Sequence, residues 1–363
     1  MRAVQVNAYG GRDGIALNDV PPPAPAAGEL RVDIAVAGLN FIDVYMREGK
    51  YRDSRTYGTP LPFTLGMEGA GVVADANGSD RLETGDRVAW CLSRGSYADS
   101  ACVPGWKLVK LPPDIDFDTG AALMLQGCTA HYLTHSAASL QPGSRCLVHA
   151  GAGGVGQILI QLAVRRGASV IATVGSPDKA AVAAALGAEH TIPYRETDFL
   201  EAVMDITGGE GVDVAYDSVG RDTIDLSIRC LRRRGTVVNY GGASGLVDSV
   251  SPLALAEAGS VFFTRPHLAH YLADRNEIDW RRMISFRPSV RVRSGSPSTG
   301  ASPWKRQVKP WNTWKKGGAG ENCCWIRDPG SVRVTGRRVY RDRQPPRPGL
   351  TGLLPRHLRS PGP

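Results

Sequence analysis

No C-x-x-C pair occurs in the 363 residues, and the seven cysteines (Cys91, Cys102, Cys128, Cys146, Cys230, Cys323 and Cys324) are an odd number without paired zinc-type spacing. A zinc lobe and a disulfide framework are therefore both unexpected, and the thiols read as reduced. Vicinal Cys323-Cys324 has no second cluster nearby to complete a metal site. No apolar run is long enough to span a bilayer, because the most apolar stretch, Leu147 to Val164, is interrupted by Gly151, Gly153, Gly154 and Gly156. The N-terminus lacks the basic start, apolar run and small-residue cleavage site of a signal peptide, and Met1–Asn7 alternates like a strand. A cytoplasmic enzyme without a membrane span is the expectation. Acid is scarce at one end of the chain: residues 282–363 hold 18 Lys+Arg against 3 Asp+Glu, whereas residues 1–281 hold 25 against 32. The formal charge of +8 thus hides an acidic body carrying a basic tail.

What is present reads as two domains sharing an interface, since 42% hydrophobic residues over this length can bury a sizeable core. Leu30, Val32, Ile34 and Val36 alternate with Arg31, Asp33 and Ala35 after Pro21 to Pro23, and the runs Gly71–Ala74 and Arg87–Trp90 flank the turn Gly85-Asp86. This is a β-rich N-terminal domain. A helical stretch follows from Ala121 through Ser139, and then strands alternate with helices. Strands are expected at 145–150, 169–174, 190–192, 212–216, 235–239 and 261–264, with helices near 154–166, 177–186, 198–207 and 223–231. Gly167 and Gly187 fall where helix C-caps need a left-handed residue. The fold class is α/β, a β-rich domain joined to a doubly wound parallel sheet. Beyond Arg282 only 13 of 82 residues are Leu, Ile, Val or Phe, the composition of a chain that cannot offset its ordering entropy by burial. A disordered basic tail is expected there.

Gly151-Ala152-Gly153-Gly154-Val155-Gly156 fits G-x-G-x-x-G, follows the strand ending His149-Ala150 and opens an apolar helix. That context points to a dinucleotide pyrophosphate held at a helix N-terminus, rather than to a ligand-free glycine turn. About twenty residues on, a site for NAD places a carboxylate, whereas this chain has Thr173-Val174-Gly175-Ser176. Without an acid to repel a 2′-phosphate, and with Ser176, Lys179 and Tyr194 able to contact one, the cofactor expected is NADPH. Ser176-Pro177-Asp178 also fits an ordinary N-cap and first turn, and Lys179 a solvated lysine.

The run Asn40-Phe41-Ile42-Asp43-Val44-Tyr45-Met46-Arg47-Glu48-Gly49-Lys50-Tyr51 resembles the N-F-x-D-x-Y-x-R-x-G-x-Y signature of the zinc-free, ζ-crystallin-like quinone oxidoreductases of the medium-chain dehydrogenase/reductase superfamily. Gly66–Gly71, Gly85–Val88, Gly127–Ala130, the glycine loop, Tyr216–Gly220 and Thr264-Arg265-Pro266 follow in the family's order. The resemblance covers residues 1–281. It implies a GroES-like catalytic domain over 1–124, a Rossmann NADP-binding domain over 125–266, a truncated return to the catalytic domain over 267–281 and an anomalous tail over 282–363. It also implies cofactor contacts from Thr129, Ser218, Asn239, Tyr240 and Gly241. Zinc-dependent relatives carry a Cys near Asn40 and a His where this chain has Met67, so no catalytic metal is implied. A quinone is already electrophilic, and the protein must mainly hold its carbonyl and offer donors to the developing oxyanion. Asn40, Tyr45 and Tyr51 are the catalytic candidates, although both tyrosines also fit packed aromatics. The activity implied is NADPH-dependent quinone reduction; reduction of enones or alkenals by the same site is the related alternative.

Other residues carry blander readings. Asp43 and Arg47 are spaced as a structural i, i+4 pair. His131 and His135 lie one helical turn apart without a third ligand and read as surface or cleft-edge residues, while His149 reads as a satisfied interior group. The apolar edge strand Val261-Phe262-Phe263 suggests a homodimer. Trp304, Trp311, Trp314 and Trp325 among the tail's cations suggest nucleic-acid binding, but no recognised binding fold accompanies them. The switch in composition where the resemblance stops instead suggests a change of reading frame near residue 282. The coding DNA tests this: the family's final helix and strand must then appear in another frame.

Overall fold

The computed structural model describes residues 1–285 and 324–326. The first half runs β1 (Arg2–Val6), β2 (Ile15–Asp19), β3 (Glu29–Gly38), α1 (Phe41–Arg47), β4 (Phe63–Thr64), β5 (Glu68–Asp75), β6 (Arg87–Cys91), β7 (Ser100–Pro104), β8 (Val109–Lys110) and α2 (Phe117–Ala122). Alternation in β3 puts Leu30, Val32 and Ile34 into a core with Val73, Val88, Trp90 and Val103. β3, β5, β6 and β8 pair in succession, β7 lies along the first half of β3, and β1 joins β2 to β4 in a smaller antiparallel sheet.

The helical stretch begins earlier than the sequence suggested and is not uniform. After α2 comes a π-helical turn at Leu123–Gly127, then α3 (Cys128–Tyr132) and a second π-helical turn at Leu133–Ala137. Such insertions often mark functional segments.

The second half alternates as expected: β9 (Arg145–Val148), α4 (Gly154–Arg165), β10 (Ser169–Val174), α5 (Pro177–Ala185), β11 (His190–Pro193), α6 (Phe199–Ile206), β12 (Val212–Asp217), α7 (Ile224–Arg229), β13 (Leu231–Asn239), α8 (Pro252–Glu257) and β14 (Phe262–Thr264). The strands form one parallel sheet in the order β11-β10-β9-β12-β13-β14. Its direction of winding reverses between β9 and β12, the switch point at which doubly wound sheets open a crevice. Gly167 and Gly187 end α4 and α5 at φ 76° and 106°, a region costly for any residue with a Cβ.

At the start of the basic tail, α9 (Arg275–Ser285) runs three residues past Arg282, and β15 (Cys324–Ile326) pairs antiparallel with the end of β3, Trp325 opposite Ala37. Apart from these, the residues expected to be disordered or to bind nucleic acid, including Trp304, Trp311, Trp314 and Cys323, lie outside the described residues.

α9 also corrects the reading of the paired histidines. His131 is fully buried, its ring stacked on His135 at 4.1 Å and met edge-on by Trp280 at 4.9 Å. Buried Arg281 reaches His131 Nδ1 at 3.1 Å and donates to the Tyr271 carbonyl at 2.6 Å, so His131 braces α9 rather than facing solvent. Burial pushes His131 down to about 3, keeping it neutral beside that guanidinium.

Candidate active site

A cleft of about 750 Å³ runs from the glycine turn to the aromatic residues around α1. Under the turn, a Cβ on Gly156 would meet the Ala150 carbonyl at 2.4 Å and Gly151 Cα at 2.9 Å, so only glycine lets α4 sit this close to the strand end. Gly153, Gly154, Val155 and Gly156 line the cleft, whereas Gly151 packs behind them towards Ala172. α4 begins with no side chain capping it, leaving N–H groups for an anion. The turn thus has the shape and the donors a pyrophosphate needs.

Beyond β10 the cleft is lined by Gly175, Lys179 and Tyr194, and the Tyr194 hydroxyl stands over Gly175. Ser176 Oγ accepts from the Lys179 amide at 3.4 Å, which is the N-cap arrangement, and Ser176 is not in the cleft wall. Arg195, which the sequence reading passed over, adds its positive charge beside Lys179. Thr129, Ser218, Tyr240 and Gly241 line the same cleft. Asn239 lies behind it, buried, donating to the Asp217 carbonyl at 3.3 Å and the Gly241 carbonyl at 3.1 Å. His149 is satisfied on both ring nitrogens, by Thr173 Oγ1 at 3.0 Å and Ser227 Oγ at 2.9 Å, and Ser227 donates to Asp217 at 2.7 Å.

At the other end, Asn40 precedes α1 and is held from three sides. Its amide N–H donates to Asp43 Oδ2 at 2.9 Å, its Nδ2 donates to Glu68 Oε2 at 2.8 Å, and its Oδ1 accepts from Gln126 Nε2 at 3.2 Å. The second oxygen of Glu68 accepts from the Leu125 amide, so the first π-helical turn supplies both Gln126 and a clamp on Glu68. Burial pushes Glu68 up to about 8 and Asp43 up to about 7, against the lowering effect of their donors. The expected Asp43–Arg47 pair does not form: the Tyr97 hydroxyl donates to Asp43 at 2.8 Å, and Arg47 donates to Glu48 at 2.7 Å.

Tyr45 and Tyr51 both line the cleft, ring edge to ring face at 5.7 Å. The Tyr45 hydroxyl accepts from the Gly242 amide at 2.9 Å, tying α1 to the loop after β13 and leaving its own hydrogen to donate. Burial lifts Tyr45 to about 12, so it remains a donor. The sequence reading missed Gln126, Tyr57, Tyr132 and His267, all in the wall, with His267 stacked on Tyr57 at 5.4 Å. Arg265 was noticed only as part of Thr264-Arg265-Pro266, although a cation directly after the apolar run Val261–Phe263 was a usable signal.

A doubly wound sheet with a pyrophosphate turn, joined to an antiparallel domain that offers amide and phenol donors to one cleft, defines a two-domain nucleotide-dependent oxidoreductase. Residues 26–142 match the alcohol dehydrogenase GroES-like domain, and residues 154–286 match the zinc-binding dehydrogenase family. The chain is 42% identical over 282 residues to a 2-haloacrylate reductase from Burkholderia sp, covering 76% of this chain and 84% of that one. It is 39% identical over 277 residues to quinone oxidoreductase 1 of Escherichia coli, covering 76% and 83%. The crystal structure of an Escherichia coli quinone oxidoreductase complexed with NADPH superimposes with a TM-score of 0.83 at 34% identity, over 90% of this chain and all of that one. The chain belongs to the medium-chain dehydrogenase/reductase superfamily, with the quinone oxidoreductases. Despite the name of one matching family, no group of three or more His, Cys, Asp and Glu residues able to hold a metal occurs among the described residues.

Proposed function

We propose that the chain reduces quinones with NADPH. The observation that carries this is the single cleft joining the Gly153–Gly156 turn to Asn40, Tyr45 and Tyr51. NADPH supplies a hydride equivalent which, with one proton, converts a quinone to its quinol. The protein's part is to bind, align and donate. The pyrophosphate rests on the glycine turn and the start of α4, and the 2′-phosphate is met by Lys179 and Tyr194, with Ser176 capping the helix that carries Lys179 and Arg195 adding positive field. Thr129, Ser218, Tyr240 and Gly241 flank the nucleotide, and Asn239 supports Gly241 from behind. Asn40, Tyr45 and Tyr51 present N–H and O–H donors to the acceptor's carbonyl. Residues 1–124 then form the catalytic domain, 125–266 the nucleotide domain, and 267–281 the return to the catalytic side.

Fluorescence titration of the full chain with NADPH and NADH, followed by a quinone assay, tests the reading. Tight, saturable binding of NADPH with clear preference over NADH is expected; no affinity for NADPH sinks it. The relative named for 2-haloacrylate favours a second reading, reduction of activated alkenes, which an acceptor panel separates from the first. No helix among the described residues is long and apolar enough to cross a membrane, and we place the activity in the cytoplasm, in a homodimer paired through β14.

A further inference from the structure

Charge in the cleft wall comes from Lys179, Asp198, Asp222 and Arg265. Three of these are accounted for. Lys179 stands with Tyr194 at the nucleotide-phosphate end, Asp198 caps α6 through the Leu200 amide at 2.8 Å, and Asp222 pairs with Arg221. Arg265 is different. It follows β14 directly, in the loop where Pro266, His267 and Leu268 also face the cleft. Its Nη1 donates over a long 3.4 Å to the neighbouring Pro266 carbonyl, and no ion pair among the described residues includes it. Other half-buried or buried guanidiniums nearby are matched: Arg47 by Glu48, Arg281 by Glu277 and Arg275 by Asp279.

The surroundings of Arg265 belong to the reacting end. Its guanidinium lies against the Tyr51 hydroxyl, and its field reaches Tyr45, Tyr57 and His267. The two buried carboxyls of that end cannot neutralise it, because Asp43 takes its bonds from Asn40 and Tyr97, and Glu68 from Asn40 and Leu125. His267, stacked between Tyr57 and His270, offers no negative charge. A guanidinium at the aromatic end of a cleft, with no carboxylate paired to it among the described residues, is matched best by an anion brought in with a ligand, and its planar fork suits a carboxylate.

We propose that Arg265 is a specificity residue that seats a carboxylate on the acceptor, so that the cleft takes carboxylate-bearing quinones or unsaturated acids in preference to neutral acceptors of the same shape. This deepens the reductase reading and rests on it. The carboxylate on Arg265 leaves the acceptor's conjugated system among Asn40, Tyr45 and Tyr51. Hydride then adds to the electrophilic carbon, a proton completes the reduction, and the carboxylate is unchanged.

The test uses the full chain with NADP⁺ bound, and benzoate and benzamide as charged and neutral probes of one shape, followed by calorimetry. Benzoate should bind about tenfold tighter than benzamide, as expected of one charge-assisted hydrogen-bonded contact. Arg265→Gln should bring the ratio to about one, Arg265→Lys should keep part of it, and added salt should shrink it. Reduction of 2-chloroacrylate against its neutral amide should follow the same order in kcat/KM. A wild-type ratio near one, or a ratio unchanged in Arg265→Gln, overturns the proposal. Loss of NADPH affinity in Arg265→Gln with the probe ratio intact also overturns it, assigning the cation to the nucleotide. If no acceptor is reduced but the probe ratio holds, the reductase reading fails while the anion site stands.

Discussion

At the residue scale the decisive feature is that Asn40 has no freedom. Its carboxamide is fixed at Nδ2 by Glu68 and at Oδ1 by Gln126, so the remaining Nδ2 hydrogen is held in one orientation without reorganisation during reaction. Asn40→Ala should therefore lower kcat for quinone reduction about 100-fold, about 3 kcal/mol of barrier, with the NADPH dissociation constant little changed. Loss of both together would mean a structural role alone. Glu68 yields a prediction of opposite character, on stability. Its folded value of about 8 lies above its ordinary 4.5, so between these two the folded state binds more protons than the unfolded one. Stability must then fall as pH rises through that window and level off above it. Denaturant unfolding at pH 5, 6.5 and 8 should show this decline, and Glu68→Gln should flatten it. Asp43, raised to about 7, contributes in the same direction, so the slope should be reduced in the variant and not abolished.

At the element scale, the turn before α4 makes the sharpest demand on side-chain size. Gly156→Val places methyl groups where the Ala150 carbonyl already lies 2.4 Å from a Cβ, and the collision is with backbone, which cannot rotate away. The start of α4 must lift from β9. NADPH affinity should drop at least about tenfold, read by fluorescence titration, and the melting temperature should fall with it. Undiminished affinity would show that the nucleotide does not rest on this turn. The same region shows why the parallel half was legible in sequence. β9 and β10 lie in the middle of the sheet and read as nearly continuous apolar runs, Cys146–Val148 and Val170–Val174, and the helices after them carry their own stops in Gly167 and Gly187. The catalytic end was less legible. Asn40, Tyr45 and Tyr51 sit in one local motif, but Glu68 and Gln126 reach Asn40 across 28 and 86 residues, and no local pattern encodes such a contact. The π-helical turn that carries Gln126 has the same composition as an α-helix, and His131 looked exposed because no helix was expected over the residues of α9, which cover it.

At the scale of the whole molecule, the parallel sheet ends in β11 and β14 among the described residues, and β14 is the edge where further pairing is easiest. β14 is the last strand in the order, only three residues long, and Phe262 on it is 61% exposed. A bare apolar edge presents free backbone donors and acceptors together with a hydrophobic surface, and proteins that stay monomeric blunt such edges with charge or proline. Here Val261 precedes the strand, Phe263 and Thr264 complete it, and charge first appears after it at Arg265, which faces the cleft. Two copies joined about a two-fold axis at this edge would continue the sheet across the interface and bury both Phe262 rings, and a two-fold pairing closes on itself without growing into fibres. Phe262→Lys should then shift the mass measured by light scattering from dimer to monomer at micromolar concentration. The cleft draws none of its wall from Phe262, so NADPH affinity should persist in the variant. A wild-type chain that scatters as a monomer across that range would remove the argument from the edge, whatever the variant does.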